Sequence, residues 1–143
     1  MKDYQLTLKK INHDRDRYIE IVREAEFTLR EGNKIKKVNI EYWFQNLIGQ
    51  LQQLKTNKCK LFFIGNGASC SIASHFAADF TKRAEIPSFS VNDGTLLTCF
   101  SNDISFEDAY AEILKKKMGK GDGLIAISSS GRSRNILKAA ELS

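Results

Sequence analysis

The hydrophobic rhythm of the chain changes once, near Lys60. Before that point apolar residues recur at helical spacing. Tyr18, Ile21, Val22, Ala25 and Leu29 fall at i, i+3, i+4, i+7 and i+11, the stripe of an amphipathic helix that Gly32 and Asn33 would end. A second stripe runs through Ile40, Phe44, Leu47, Ile48, Leu51 and Leu54, with Asn39 placed to cap it. Two antiparallel helices are therefore expected first. They present more apolar surface than one small sheet needs, which leaves open both ordinary core packing and packing against another subunit. After Lys60 the apolar residues gather into short runs, Leu61 to Ile64, Ser88 to Val91 and Gly123 to Ile127. Helical stretches at about 70–83 and 105–118 separate them, the second ending at Gly119. That alternation predicts βαβ units and a parallel sheet. The final SRNILKAAELS reads as the start of one more helix.

The predicted fold class is thus α/β, a flavodoxin-like three-layer sandwich in which three parallel strands can be counted, preceded by two helices. Residues 1–58 are read as a helical, oligomerising segment and residues 59–143 as the α/β domain. Doubly wound sheets commonly hold five or six strands. Three strands therefore predict either a sheet edge that another chain covers or a chain that is part of a longer protein. A length of 143 residues suits one ordinary domain, and 42% hydrophobic with 27% charged residues are globular values. The start, MKDYQLTLKKINHDRDR, lacks an apolar stretch followed by a small-residue cleavage site, and no run is apolar enough to cross a bilayer. A cytoplasmic protein without a membrane partner is expected. Cys59, Cys70 and Cys99 are odd in number and widely spaced, against a disulfide framework or a CxxC metal site. Cys70, at a helix start, reads either as a reactive thiolate or as a buried inert thiol.

The formal charge of +5 lies wholly in the first sixty residues, with 13 basic against 8 acidic side chains there and nine of each beyond. It is interleaved with acids, as in DRDRYIEIVREAEFTLREGNKIKK, and so reads as solvated helix faces. With no recognition motif behind the charge, nucleic acid is not an expected partner.

Two loops carry candidate chemistry. LFFIGNGASCSIASHF is a strand running through Gly65-Asn66-Gly67-Ala68-Ser69 into a helix. Its glycines permit unusual backbone angles and let main-chain N–H groups approach an anion at the positive helix end, with the Ser69 hydroxyl as a further donor. Strand-to-helix turns also hold glycine for steric reasons alone. No Gly-Lys-Ser/Thr follows, so it is not a Walker A loop, and Cys70 replaces the third glycine of a dinucleotide fingerprint. Asp93, after the second strand, keeps the dinucleotide alternative open as a ribose ligand. LIAISSSGRSRNIL repeats the design with Ser128, Ser129, Ser130, Gly131, Arg132 and Ser133. Many hydroxyls aimed at one point make either an oxyanion cradle or a polar turn. Two such loops at the carboxyl ends of strands in one sheet favour a phosphate-gripping site.

GNGASCSIASHFAADF and AISSSGRS resemble the SIS (sugar isomerase) phosphosugar-binding domain, and within it the phosphoheptose isomerases. The resemblance extends over about residues 40–143 in motif order and spacing, including VNDGTLLTCFSND. It implies an intramolecular aldose–ketose isomerase that interconverts sedoheptulose 7-phosphate and D-glycero-D-manno-heptose 7-phosphate for lipopolysaccharide or capsule heptose synthesis. It further implies that Ser69, Ser128, Ser129, Ser130 and Ser133 contact phosphate and that Asn66 and Asp103 touch the sugar. His75 and Asp79 match helix positions that supply a metal ligand and a carboxylate. Both are implied to be catalytic, with zinc as the metal, and the phosphorylated sugar is the expected partner of a homo-oligomer, a tetramer bundled through its leading helices.

The i, i+4 spacing of His75 and Asp79 puts both on one helix face, where they can share an ion or form a surface hydrogen bond. The resemblance departs from the family at two points. Asp79 stands where Glu is usual, one methylene shorter. A further Gln and His come in the family from a helix that would lie beyond Ser143, so the zinc ligand set is incomplete. A non-catalytic phosphosugar sensor, or a module of the kind that associates with a replication initiator, is the alternative.

Overall fold

The structure, a computed structural model, describes residues 2–142, with side chains from Lys9 onward. It divides into two compact units, residues 1–48 and Gly49 onward. In the first, helix α1 (Lys2–Arg23) precedes an antiparallel hairpin of β1 (Phe27–Glu31) and β2 (Lys34–Val38). Helix α2 (Ile40–Thr56) begins there and ends in the second unit.

The hairpin corrects the expected first helix, because Ala25 and Leu29 lie outside α1. Spacing of four residues is compatible with both a helix and a strand, and here the β-branched and aromatic residues of Phe27-Thr28-Leu29 win. Gly32 adopts φ 59 and opens the two-residue Gly-Asn turn. Phe27 packs its ring 5.6 Å from Trp43, and Lys37 pairs with Glu26. The predicted cap of α2 is present, since Asn39 Oδ1 accepts from Tyr42 N at 2.8 Å.

The second unit alternates strand and helix: β3 (Leu61–Gly65), α3 (Ala68–Asp79), a π-helical turn (Phe80–Ala84), β4 (Ser88–Ser90), α4 (Gly94–Asp103), α5 (Ala109–Lys117), β5 (Gly123–Ile127) and α6 (Arg134–Ala140). All three strands are parallel in the order β4-β3-β5, with Gly65 opposite Ile127 at the carboxyl end. Two departures from expectation concern helices. The Asp93 side chain accepts from Leu96 N at 2.7 Å and caps α4, a helix the sequence did not announce, and the segment from 105 becomes helical only at Ala109. That cap is a structural task for the residue otherwise open to ribose.

Strand β3 is buried along its whole length, which is why Leu-Phe-Phe-Ile-Gly does not alternate with polar residues. Phe62 and Ile64 face Val91, Tyr110, Ile113, Leu114, Ile136 and Ala139, while Leu61 and Phe63 face Ala73, Ala77, Ile86, Leu51 and Leu54. Helices therefore cover both faces, giving three layers. The turn after α2 is a left-handed closure. Lys58 sits at φ 54, with Cys59 N on Leu54 O at 2.9 Å and Lys58 N on Lys55 O at 3.2 Å.

Candidate phosphosugar site

The first loop is shaped by two glycines with different tasks. A Cβ on Gly65 would lie 2.6 Å from the carbonyl carbon and oxygen of Ser69 and 2.9 Å from Cys70 N, so only glycine lets the strand end meet the first turn of α3. Gly67 meets nothing within 4 Å, but its φ of 53 is one that side chains avoid. Between them Asn66 O accepts from Ser69 N at 3.0 Å, and no side chain caps α3. Ser69 itself is half-buried, in the first turn of α3.

The second loop leaves β5 beside the first, since Gly65 and Ile127 are register partners. Its serines partly hold the loop itself. Ser128 Oγ accepts from Gly131 N at 3.1 Å and Ser130 Oγ from Arg132 N at 3.2 Å, with Gly131 at φ 61. Each hydroxyl keeps its proton to donate. Ser129 is exposed, and Ser133 is the cap residue of α6, without a side-chain cap bond among the described residues.

Two residues that the sequence reading missed tie this region together. Asn135 is 3% exposed and exchanges two hydrogen bonds with Asn66, each amide donating Nδ2 to the other's Oδ1 at 2.9 Å. Tyr110, also buried, donates its hydroxyl to Gly65 O at 2.6 Å. Burial chiefly, with Cys70 adding, pushes that hydroxyl up to about 12, so it remains a donor. A polar Asn on the inward face of a helix was the available signal for the first, because buried amides need partners. Tyr110, within an apolar face, gave none.

His75 and Asp79 lie further along α3, the first about 9 Å along the axis from Ser69 at 1.5 Å per residue. His75 Nε2 is 3.4 Å from Asp79 Oδ2, and Arg83 Nε is 3.5 Å from Oδ1 of the same carboxylate. Two ligands of a tetrahedral zinc, each about 2.0–2.2 Å from it, sit roughly 3.4 Å apart, so the pair fits two corners. Among the described residues no group of three His, Cys, Asp or Glu could hold a metal. Asp103, at the end of α4, accepts from Asn102 Nδ2 at 3.0 Å and from Cys99 Sγ at 3.5 Å, and the carboxylate pushes that thiol up. Its bonds therefore stay on its own helix, apart from the loops. A cavity of about 280 Å³ lies along β4 between Lys60, Phe62, Phe89, Asp93 and Lys117, and includes neither loop. Cys59, Cys70 and Cys99 are free thiols, and among the described residues no helix is long and apolar enough to cross a membrane.

A parallel sheet with two glycine- and serine-bearing loops at the carboxyl ends of neighbouring strands places the chain in the class of α/β proteins that take an anionic ligand there, and comparison with known proteins gives the family. The SIS domain family model matches residues 43–143, and the chain belongs to that family. It is similar to the phosphoheptose isomerase of Helicobacter pylori, 30% identical over 128 residues, 85% of this chain and 67% of the relative. The phosphoheptose isomerase of Thermodesulfovibrio yellowstonii is 34% identical over 134 residues, 90% of this chain and 63% of the relative. The DnaA initiator-associating protein DiaA of Escherichia coli is 38% identical over 97 residues, 64% of this chain and 50% of the relative. Among solved structures, phosphoheptose isomerase GmhA from Neisseria gonorrhoeae superposes with a TM-score of 0.64 at 30% identity, over 68% of this chain and 53% of that one. The chain thus spans about half to two thirds of the length of the relatives it matches.

Proposed function

We propose that the chain carries the phosphate-gripping part of a phosphoheptose isomerase, acting on sedoheptulose 7-phosphate and its aldose isomer in lipopolysaccharide or capsule heptose synthesis. The observation that carries this reading is the pairing of the two loops, Ser69 on one and Ser128, Ser129, Ser130 and Ser133 on the other, at adjacent strand ends. Their neutral donors would bind the remote phosphate, and its binding energy would orient the reacting carbons. Isomerisation requires a proton to leave C2 of the aldose (C1 of the ketose) and return to the neighbouring carbon through an enediolate. Asp79 would carry that proton, its carboxylate aimed by Arg83. His75 and Asp79 would hold two corners of a zinc site, and the bound ion would supply polarisation of the carbonyl. Asn66 and Asp103 would contact the sugar. Half-exposed apolar side chains on α2, Ile40, Phe44 and Ile48, support assembly as a homo-oligomer, a tetramer in our reading. Free cysteines support a cytoplasmic setting.

Asp79→Asn should abolish turnover of sedoheptulose 7-phosphate while leaving its affinity within about twofold. Undiminished turnover would remove Asp79 from the mechanism. The similarity to the initiator-associating protein favours one second reading, a sugar-phosphate sensor without chemistry. Chelator separates the two, since it would silence the isomerase and leave a sensor's binding untouched.

A further inference from the structure

We infer that Asn135 is a positioning residue of the site, an amide clasp that fixes the spacing of the two serine loops. The inference deepens the phosphosugar reading and rests on it. Asn66 lies between Gly65 and Gly67 at the tip of the first loop, and Asn135 lies two residues past Ser133 at the end of the second. The two are 69 residues apart in the chain, yet their side chains close a ring of two N–H···O bonds, both 2.9 Å. A third bond sets the orientation of that ring, because Ile136 N donates to Asn135 Oδ1 at 3.0 Å. Asn135 Oδ1 must then be the acceptor and its Nδ2 the donor toward Asn66. The Asn66 amide is oriented in turn, and keeps one N–H and one lone pair for a ligand.

Elsewhere the described contacts between the two loops run through β3 and β5, whose hydrogen bonds stop at Gly65 and Ile127. Beyond those residues, the clasp supplies the only side-chain hydrogen bonds between the two loops among the described residues. One phosphate that is to accept from Ser69 and from the second loop together needs a separation held to a few tenths of an ångström, because hydrogen bonds weaken steeply outside their narrow range of length and angle. Glycines at 67 and 131, both at positive φ, leave both backbones intrinsically loose. Asn135 supplies the restraint those glycines remove.

The ring has a chemical signature. In Asn135→Asp the ionised carboxylate still accepts from Ile136 N and Asn66 Nδ2, but its other oxygen faces Asn66 Oδ1, acceptor against acceptor. Protonation turns that oxygen into an O–H donor and restores both bonds as an acid–amide pair. Burial and the facing carbonyl both raise the pKa of the new group above the usual carboxylate range.

The test uses the intact protein with two readouts. Hydrogen exchange at pH 7.5, without ligand, should show Asn135→Asp loosening both residues 65–69 and 128–133 while 110–114 stay protected. Loosening confined to 133–137 would overturn the clasp. Affinity for sedoheptulose 7-phosphate, taken as the ratio of variant to wild type so that ionisation of the phosphate cancels, should be about tenfold weaker at pH 7.5. It should return toward one as pH falls to about 5. A ratio unchanged by pH, or a variant that binds as wild type, would overturn the positioning role. If wild type itself shows no affinity while exchange behaves as expected, the clasp stands and the phosphosugar reading falls. Asn66→Asp, at a half-buried position, tests the same ring by hydrogen exchange alone should the first variant not fold, because Asn66 is itself read as a sugar contact.

Discussion

At the scale of single residues, the two glycines of the first loop separate steric need from conformational need. Gly65→Ala drives a Cβ into backbone atoms at 2.6 Å, which no side-chain rotation relieves. It should cost about 3 kcal/mol, the upper range for overpacking. Gly67→Ala meets open space and should cost about 2 kcal/mol, the penalty of a sparsely populated backbone region at φ 53 and ψ −124. Urea melts of the two variants give that order directly, and the reverse order would mean that α3 yields where the strand end presses on it. Tyr110 adds a pH-dependent term. Its hydroxyl ionises near 12 in the folded chain and near 10 when unfolded. The native state therefore holds the proton more tightly. Its contribution is complete below about pH 10 and is lost as pH rises from about 10 to 12. Tyr110→Phe should lower stability by about 1–2 kcal/mol at neutral pH, because Gly65 O loses its donor, and should flatten the fall in melting temperature above pH 10. Thermal melts from pH 8 to 11 check both.

Elements differ in how far the chain announces them. Strands β3 and β5 were plain from LFFIG and GLIAI, short apolar runs without alternation, and for β3 the cause is that a strand covered on both faces has no polar side to show. The hairpin was not, because apolar spacing of four fits either period and its choice rests on the packing of Phe27 on Trp43, a contact between residues distant in sequence. Helix α4 was hidden by its brevity, with Gly94, Thr95 and Thr98 among its ten residues. The serine loops were legible as motifs, and the placement of His75 beside Asp79 followed from helix geometry. The Asn66–Asn135 ring could not be read, since it depends on which strands neighbour which. The closure of α2 yields a further prediction at this scale. Lys58 bears a left-handed φ of 54 in a motif that favours glycine. Lys58→Gly should stabilise the protein by about 0.5–1 kcal/mol, and a lowered urea midpoint would show that the lysine side chain contributes more than its strain costs.

At the scale of the molecule, the second unit depends on one strand. Phe63 is fully buried, lying 5.5 Å from the Phe80 ring and 6.4 Å from Phe76. Phe63→Ala should cost about 3–5 kcal/mol, a large share of the roughly 5–15 kcal/mol that holds a domain. A melting temperature lowered by less than about 5 °C would mean that neighbouring rings collapse into the space. The central position of β3 also has a consequence in time. Leu61 pairs with Ser88 on one side and with Gly123 on the other, so on a ribosome adding about 5–20 residues per second the most apolar segment of the chain waits several seconds for its second neighbour. Until then its unpaired edge is open to any other strand. Synthesis is thus a stage at which this protein is exposed to aggregation.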